Sequence, residues 1–169
     1  MNILNDLSRI NKLIFNKLNL YFLLLIIVIF TFDRITKNLI IKSFVDEIFY
    51  FNKFMNLDLV WNTGIGFGLL SYDSLLVYNL TTALIGLVVI TLFYFMVISD
   101  NLDKLIFSII IGGALGNLYD RLLYNAVPDF IDLHYNNFHW FTFNVADIFI
   151  TLGVIIMVLR EFFLKKNNE

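Results

Sequence analysis

The sequence predicts an all-α membrane protein with four transmembrane helices and a small outward-facing segment of strands and short helix between the first and second spans. Three observations carry that reading. Of the 169 residues, 59% are apolar and only 15% charged, against roughly 45–50% and 25% in soluble domains. The mean hydropathy is +0.79. Apolar runs recur at lengths that suit a bilayer, about 20 residues per span. The length leaves room for about four such spans and excludes a separate soluble domain, so residues 1–169 read as one polytopic unit.

The first span is expected at about 18–41. The tail before it carries Arg9, Lys12 and Lys17, and the run Leu20–Phe32 follows. A basic tail and an apolar run also describe a secretion signal, but only Thr31-Phe32-Asp33-Arg34 follows, with no small-residue cleavage site. The expectation is a retained span. Residues 42–73 break the membrane pattern with Lys42, Asp46, Glu47, Lys53, Asp58 and Asp73, and Met55–Trp61 alternates as a strand does. The second span, about 74–98, contains the charge-free stretch Leu75–Ile98. A short link, Ser99–Lys104, leads to a third span at about 105–123. Residues 124–138 read as a loop holding the only proline, Pro128, and a fourth span is expected at about 139–160.

Seven of the twelve basic residues lie in the two tails and the 99–104 link. Basic residues favour the cytoplasm, so both termini are expected inside and both polar loops outside, with Trp61 and Trp140 in an outer aromatic belt. The chain has no Cys and only His134 and His139. That removes disulfides, thiolate sites and cysteine nucleophiles, and no metal or other cofactor is expected. A net charge of −2 gives no footprint for nucleic acid.

Ionisable groups within spans are costly and mark functional sites by default. They occur in three clusters, each near an outer span end. In the first, Asp33 and Lys37 sit four apart on one helical face and can pair; the plainer reading has the helix end dipping into headgroups, with Arg34 and Lys37 snorkelling. The second, Asn117, Asp120 and Arg121, follows Gly112-Gly113-Ala114-Leu115-Gly116. Gly112 and Gly116 form a small-xxx-small pair for close helix packing, and an Asp120–Arg121 pair at the helix end is the plainer account of Arg121. The third, Asn144, Asp147 and Thr151, shares one face of the fourth span. Asp147 has apolar chain neighbours and no nearby cation, so it must be protonated, paired or hydrated. Asp129, between Pro128 and Phe130, is placed at the interface on similar grounds.

With no metal-ligand set and no nucleophile elbow, what remains is carboxylates in a wet pocket at the membrane edge. Two close carboxylates do not ionise together easily, so one keeps a proton. Such a pair can hydrolyse a peptide bond. Proton or cation transport uses the same groups, and residue chemistry alone leaves both open.

Five segments in order resemble the lipoprotein signal peptidase (signal peptidase II) family of four-span bacterial aspartic proteases: Asp33-x-x-x-Lys37, Trp61-Asn62-Thr63-Gly64-Ile65-Gly66-Phe67-Gly68, the block Gly112–Arg121, Val127-Pro128-Asp129-Phe130, and Phe143-Asn144-Val145-Ala146-Asp147. Three positions depart from the family pattern: Ile65-Gly66 stands for Ala-Ala, and Pro128 for Val. The resemblance implies an Asp129/Asp147 dyad that cuts the signal peptide from prolipoproteins just before a diacylglyceryl-modified Cys. It implies positioning roles for Asn62, Gly64, Asn117, Asp120, Arg121, Asn144 and Ala146, and a bracing role for Asp33 and Lys37. It further implies a sheet and short helix from 43–72 over the site, lipid contact in the bacterial inner membrane, a monomer, and a site near the outer face.

Overall fold

A computed structural model describes residues 14, 16–43, 48–64, 75–136 and 138–167. The Ile65-Gly66 departure and the expected short helix lie outside these. Helix α1 spans Lys17–Ser43, strands β1 and β2 span Phe49–Asn52 and Met55–Asn62, and helices α2 and α3 span Leu75–Ile98 and Asn101–Tyr124. Strands β3 and β4 then cover Val127–Tyr135 and Phe138–Phe143, and helix α4 covers Val145–Asn167. The expected first, second and third spans therefore lie within α1, α2 and α3 to within a few residues.

Among the described residues, three helices, α1 to α3, are long and apolar enough to cross a membrane. The fourth departs from expectation. Residues 138–143 form a strand, and α4 begins only at Val145. Asp147 near its start and Arg160 leave twelve uncharged residues, 148–159, between them, short of a full apolar span. Phe138–Phe143 is rich in aromatic residues, which suit the start of a span and a half-buried strand equally. The loop expected at 124–138 is largely strand β3, and Pro128 sits near its start, opposite Trp61 of β2 and ahead of the β3–β4 pairing that begins at Ile131.

The sheet is antiparallel in the order β1-β2-β3-β4. Its two hairpins come from different parts of the chain. Strand β2 pairs with β3 through Asn62↔Val127, Val60↔Asp129 and Asn56↔Asp132, with α2 and α3 intervening in sequence. The 42–73 segment thus supplies half of the sheet and the third inter-helix connection the rest. His134 and His139, which read as neighbours in one loop, are direct cross-strand partners.

One apolar core, built on Ile26, Val89, Met96 and Ile111, joins α1, α2 and α3. A second, Ile40, Phe130 and Val145, ties the end of α1 to β3 and the start of α4. Large apolar side chains such as Leu24, Ile27, Leu80, Leu84, Leu87 and Ile155 remain exposed along the helices, an outward surface suited to lipid rather than water. At the end away from the sheet, Arg160 of α4 pairs with Asp100 at 2.6 Å and also with Asp103, while Lys104 donates to Asn19 at 2.8 Å. The start of α1, the α2–α3 link and the later part of α4 therefore share one end of the bundle. Asp100 caps α3 there, and the Asp103 N–H, then the Arg160 charge, hold its carboxyl below the usual range.

Glycines set how closely α3 packs. A Cβ at Gly112 would lie 2.7 Å from Ile29 Cβ, and one at Gly116 would strike the Asp33 carboxylate. Gly112 and Gly116 thus mate with Ile29 and Asp33, one four-residue row against another. A Cβ at Gly113 would reach 2.5 Å from the Ala146 carbonyl, so the adjacent glycine faces α4.

Candidate active site

The sheet-facing end of the bundle holds two groups of buried or half-buried acids. In the first, Asp33, Lys37 and Asp120 have fully buried side chains. Lys37 Nζ lies 3.0 Å from Asp33 Oδ2 and 2.7 Å from Asp120 Oδ2. Arg34 donates from both terminal nitrogens to Asp120, with Nη2 at 2.7 Å from Oδ2 and Nη1 on Oδ1, and it reaches Asp33 at 2.9 Å. The guanidinium also lies over the Tyr119 ring, 4.9 Å from its centroid. Two cations thus meet two anions. The Asp33–Lys37 pairing expected from the i,i+4 spacing is present, but neither basic residue snorkels to a surface. A paired charge is far cheaper to bury than to leave alone, and that keeps all four inside.

Asp33 does a second job. Its Oδ1 accepts the Ala146 N–H at 3.0 Å, one of the donors that the first turn of α4 leaves unpaired. Arg121 does not pair with Asp120, contrary to the plainer reading. It donates to the Gly64 carbonyl at 3.0 Å and to the Asn117 carbonyl at 3.3 Å, tying α3 to the segment after β2.

The second group is Asp129 and Asp147. Among the described residues neither forms an ion pair. Each is held by amides instead. Asn62 Nδ2 donates to Asp129 Oδ2 at 2.8 Å and Asn144 Nδ2 to Oδ1 at 2.5 Å. Asn62 is itself fixed by accepting the Gly64 N–H at 2.8 Å. Asn117 Nδ2 donates to Asp147 Oδ1 at 2.7 Å while its Oδ1 accepts from Lys37 at 2.8 Å, so one amide joins the two groups. Asn144 and Asp147 exchange hydrogen bonds at 3.1 Å, each backbone N–H to the other's side chain. That is a capping box at the start of α4, and it fixes Asp147 against Asn144, which holds Asp129.

Both acids line one cavity of about 280 Å³, together with Asn62, Asn117, Arg121 and Thr151. Asp129 is 3% exposed. Burial first, then the charge of Asp147, pushes its carboxyl up to about 6. All the residues predicted as site members are therefore in the described structure: six of the polar ones line or hold this cavity, Gly64 and Ala146 contribute backbone groups, and Asp33, Lys37 and Asp120 form the adjoining ion network. Arg34 belongs to that network, where the sequence suggests only a snorkelling residue. Its partner Asp120 lies 86 positions away, a separation with no local sequence signal.

A family model described as signal peptidase (SPase) II matches residues 25–163. The chain belongs to the signal peptidase II family. It is 52% identical to the lipoprotein signal peptidase of Pelagibacter ubique (strain HTCC1062), covering 91% of this chain and 98% of that one. It is 42% identical to that of Aquifex aeolicus (strain VF5), over 81% and 83%. Two solved structures, each described as a bacterial membrane enzyme determined by the in meso method, share the fold. One has a TM-score of 0.74 at 28% identity, covering 88% of this chain and 92% of its own. The other has a TM-score of 0.70 at 30% identity, over 83% and 91%. As a signal peptidase II the chain is a membrane protease.

Proposed function

We propose that this signal peptidase II is an aspartic endopeptidase that removes the signal peptide from prolipoproteins, cutting just before the diacylglyceryl-modified Cys, with Asp129 and Asp147 as the reacting pair. The observation that carries the reading is that these two acids share a cavity in which neither has an ion-pair partner among the described residues, the cavity's Arg121 being turned to backbone carbonyls, whereas their neighbours Asp33 and Asp120 are neutralised by Arg34 and Lys37.

The pair works with one proton between them, placed here on Asp129. A water held between the acids attacks the scissile carbonyl carbon and gives a proton to ionised Asp147. Asp129 passes its proton to the carbonyl oxygen, forming a tetrahedral diol. Asp147 then gives its newly acquired proton to the amide nitrogen, the C–N bond breaks, and one diol hydroxyl returns a proton to Asp129, releasing the new amino terminus and a carboxyl and restoring the pair. Asn62, Asn117 and Asn144 orient the carboxylates without adding charge. Arg121, through Gly64, holds the segment that follows β2 against the cavity.

The cavity volume sits at the low end of ligand pockets, about 300–1,000 Å³. It suits backbone flanking one bond and leaves the acyl chains outside, against apolar helix faces. That arrangement fits a monomer working in the plane of the inner membrane. We read α4 as a fourth span aided by Asp147 being at the wet end, with both termini cytoplasmic and the cavity near the outer face. Incubating the purified protein with a diacylglyceryl-modified prolipoprotein tests the reading: a mobility shift to the mature form is expected. Proton flux without peptide product would instead support a transporter.

A further inference from the structure

Outside the cavity, the extramembrane sheet holds a second polar cluster. Asp132, His134 and His139 each present one donor atom, and these atoms all lie within 4.8 Å of one another. A register shift in the β3–β4 pairing brings them together. Asp132 opposes Thr142 and Leu133 opposes Phe141, but His134 opposes His139, so Trp140 is the extra residue. A bulge of this kind re-aims a side chain. Here it sets the two imidazoles in a stack, with centroids 5.3 Å apart and planes at 27°.

Hydrogen bonding leaves this cluster incomplete. His139 Nδ1 lies 2.7 Å from Asp132 Oδ2. His134 Nδ1 is 3.6 Å from the same oxygen, too far for a hydrogen bond. Both His134 Nδ1 and Asp132 Oδ1 are buried without a partner, and their side chains are 8% and 6% exposed. Asn56 Oδ1 is orphaned as well, and Asn56 is the register partner of Asp132 on β2. A polar atom buried without a partner keeps its full desolvation cost. Two of them within the cluster and a third on the neighbouring strand are not accounted for by the His139–Asp132 contact.

A cation would satisfy them. Two imidazole nitrogens and one carboxylate suit borderline divalent metals, with ligand bonds of about 2.0–2.2 Å. Ligand atoms around one such ion stand roughly 3–4 Å apart, and the separations here need only small adjustment. His139, with a side chain 59% exposed, is free to make it.

We propose that Asp132, His134 and His139 bind one borderline divalent transition-metal ion of the zinc class, stapling the β3–β4 hairpin, with Asn56 as an added oxygen donor. The site is structural rather than catalytic. It lies on the strand that carries Asp129, and His134 also donates its backbone N–H to Phe54 at 3.0 Å. An ion there would tie β2, β3 and β4 together.

The test uses full-length protein in detergent, with no histidine tag and prior chelator treatment. Zn²⁺ is titrated calorimetrically, and Co²⁺ is titrated by visible absorption. Both of the chain's histidines lie in the cluster, so a histidine–cobalt signature reports this site alone. One ion per chain is expected, with Mg²⁺ failing to compete. His139→Ala removes an exposed side chain and should fold normally. It should weaken binding by more than roughly tenfold, since even an outer-shell partner is worth 10- to 100-fold, and it should abolish the rise in melting temperature that Zn²⁺ gives the unaltered protein. Absence of stoichiometric binding, or equal binding by His139→Ala, would overturn the proposal and leave an Asp–His ion pair only.

Discussion

Asp33 and Asp120 lie beside Asp129 and Asp147 at the same end of the bundle, three of them buried and Asp147 half-buried, but they are compensated in different ways. The first two meet Arg34 and Lys37 at hydrogen-bonding distance. The second two meet only amide and backbone N–H groups. A cation fixes a carboxylate in its charged form and makes it a poor proton carrier. An amide fixes its position and leaves the proton free to move. Asn117 touches Lys37 on one side and Asp147 on the other, so the ion network orients the proposed pair without neutralising it. On the proposed function, one set of acids holds the frame and the other performs the chemistry.

The largest expected effect is on turnover. Asp129→Asn and Asp147→Asn should each lower cleavage by on the order of 10⁴-fold or more, and the double variant should be little worse, as for residues that act as a unit. Single-turnover assays on lipidated substrate check both statements. Additive losses would mean that the acids act separately.

Next in size is stability. Lys37→Met leaves Asp33 and Asp120 sharing only Arg34. Breaking a buried ion pair on one side costs about 3–5 kcal/mol, so thermal unfolding in detergent should shift strongly downward. An unchanged melting temperature would mean that the network is not bracing the bundle.

A smaller effect falls on the pH profile. The alkaline limb of kcat/KM should report loss of the proton that Asp129 holds near pH 6. The Asn62 amide favours the charged form of Asp129. Asn62→Ala removes that donor, so the limb should move to higher pH while activity falls by roughly 10- to 100-fold, the cost of about 1–3 kcal/mol for a lost buried hydrogen bond. A limb that moves to lower pH would contradict the assignment of the proton.

The sequence made some of this legible and hid the rest for physical reasons. Leu75–Ile98 reads as a helix because nothing charged interrupts it. Asp33 and Lys37 read as a pair because helical spacing is local. Asp129 and Asp147 stand out by lacking any cation nearby in the chain. Phe138–Phe143 was hidden, because an aromatic run looks alike at a span's edge and in a strand. The sheet's division between two distant segments, the Arg34–Asp120 pairing and the Asp132–His134–His139 cluster depend on tertiary register, which one sequence does not display.

The central claim is that the two sets of acids do opposite work, and paired melting and cleavage measurements on Asp120→Asn and Asp129→Asn at pH 7.5 test it most directly. Asp129 has a raised carboxyl in the folded protein, so its stabilising contribution is present below the unfolded value near 4 and is lost as pH rises through about 6. At pH 7.5 the buried charge is a net cost, with an upper limit of about 3 kcal/mol. Asp129→Asn should therefore melt at or above the temperature of the unaltered protein and cleave nothing. Asp120→Asn should melt well below it, with Arg34 and Lys37 short of an anion, and still cleave at temperatures where it is folded. The reverse pattern, an inactive but stable Asp120→Asn beside an active Asp129→Asn, would contradict the account.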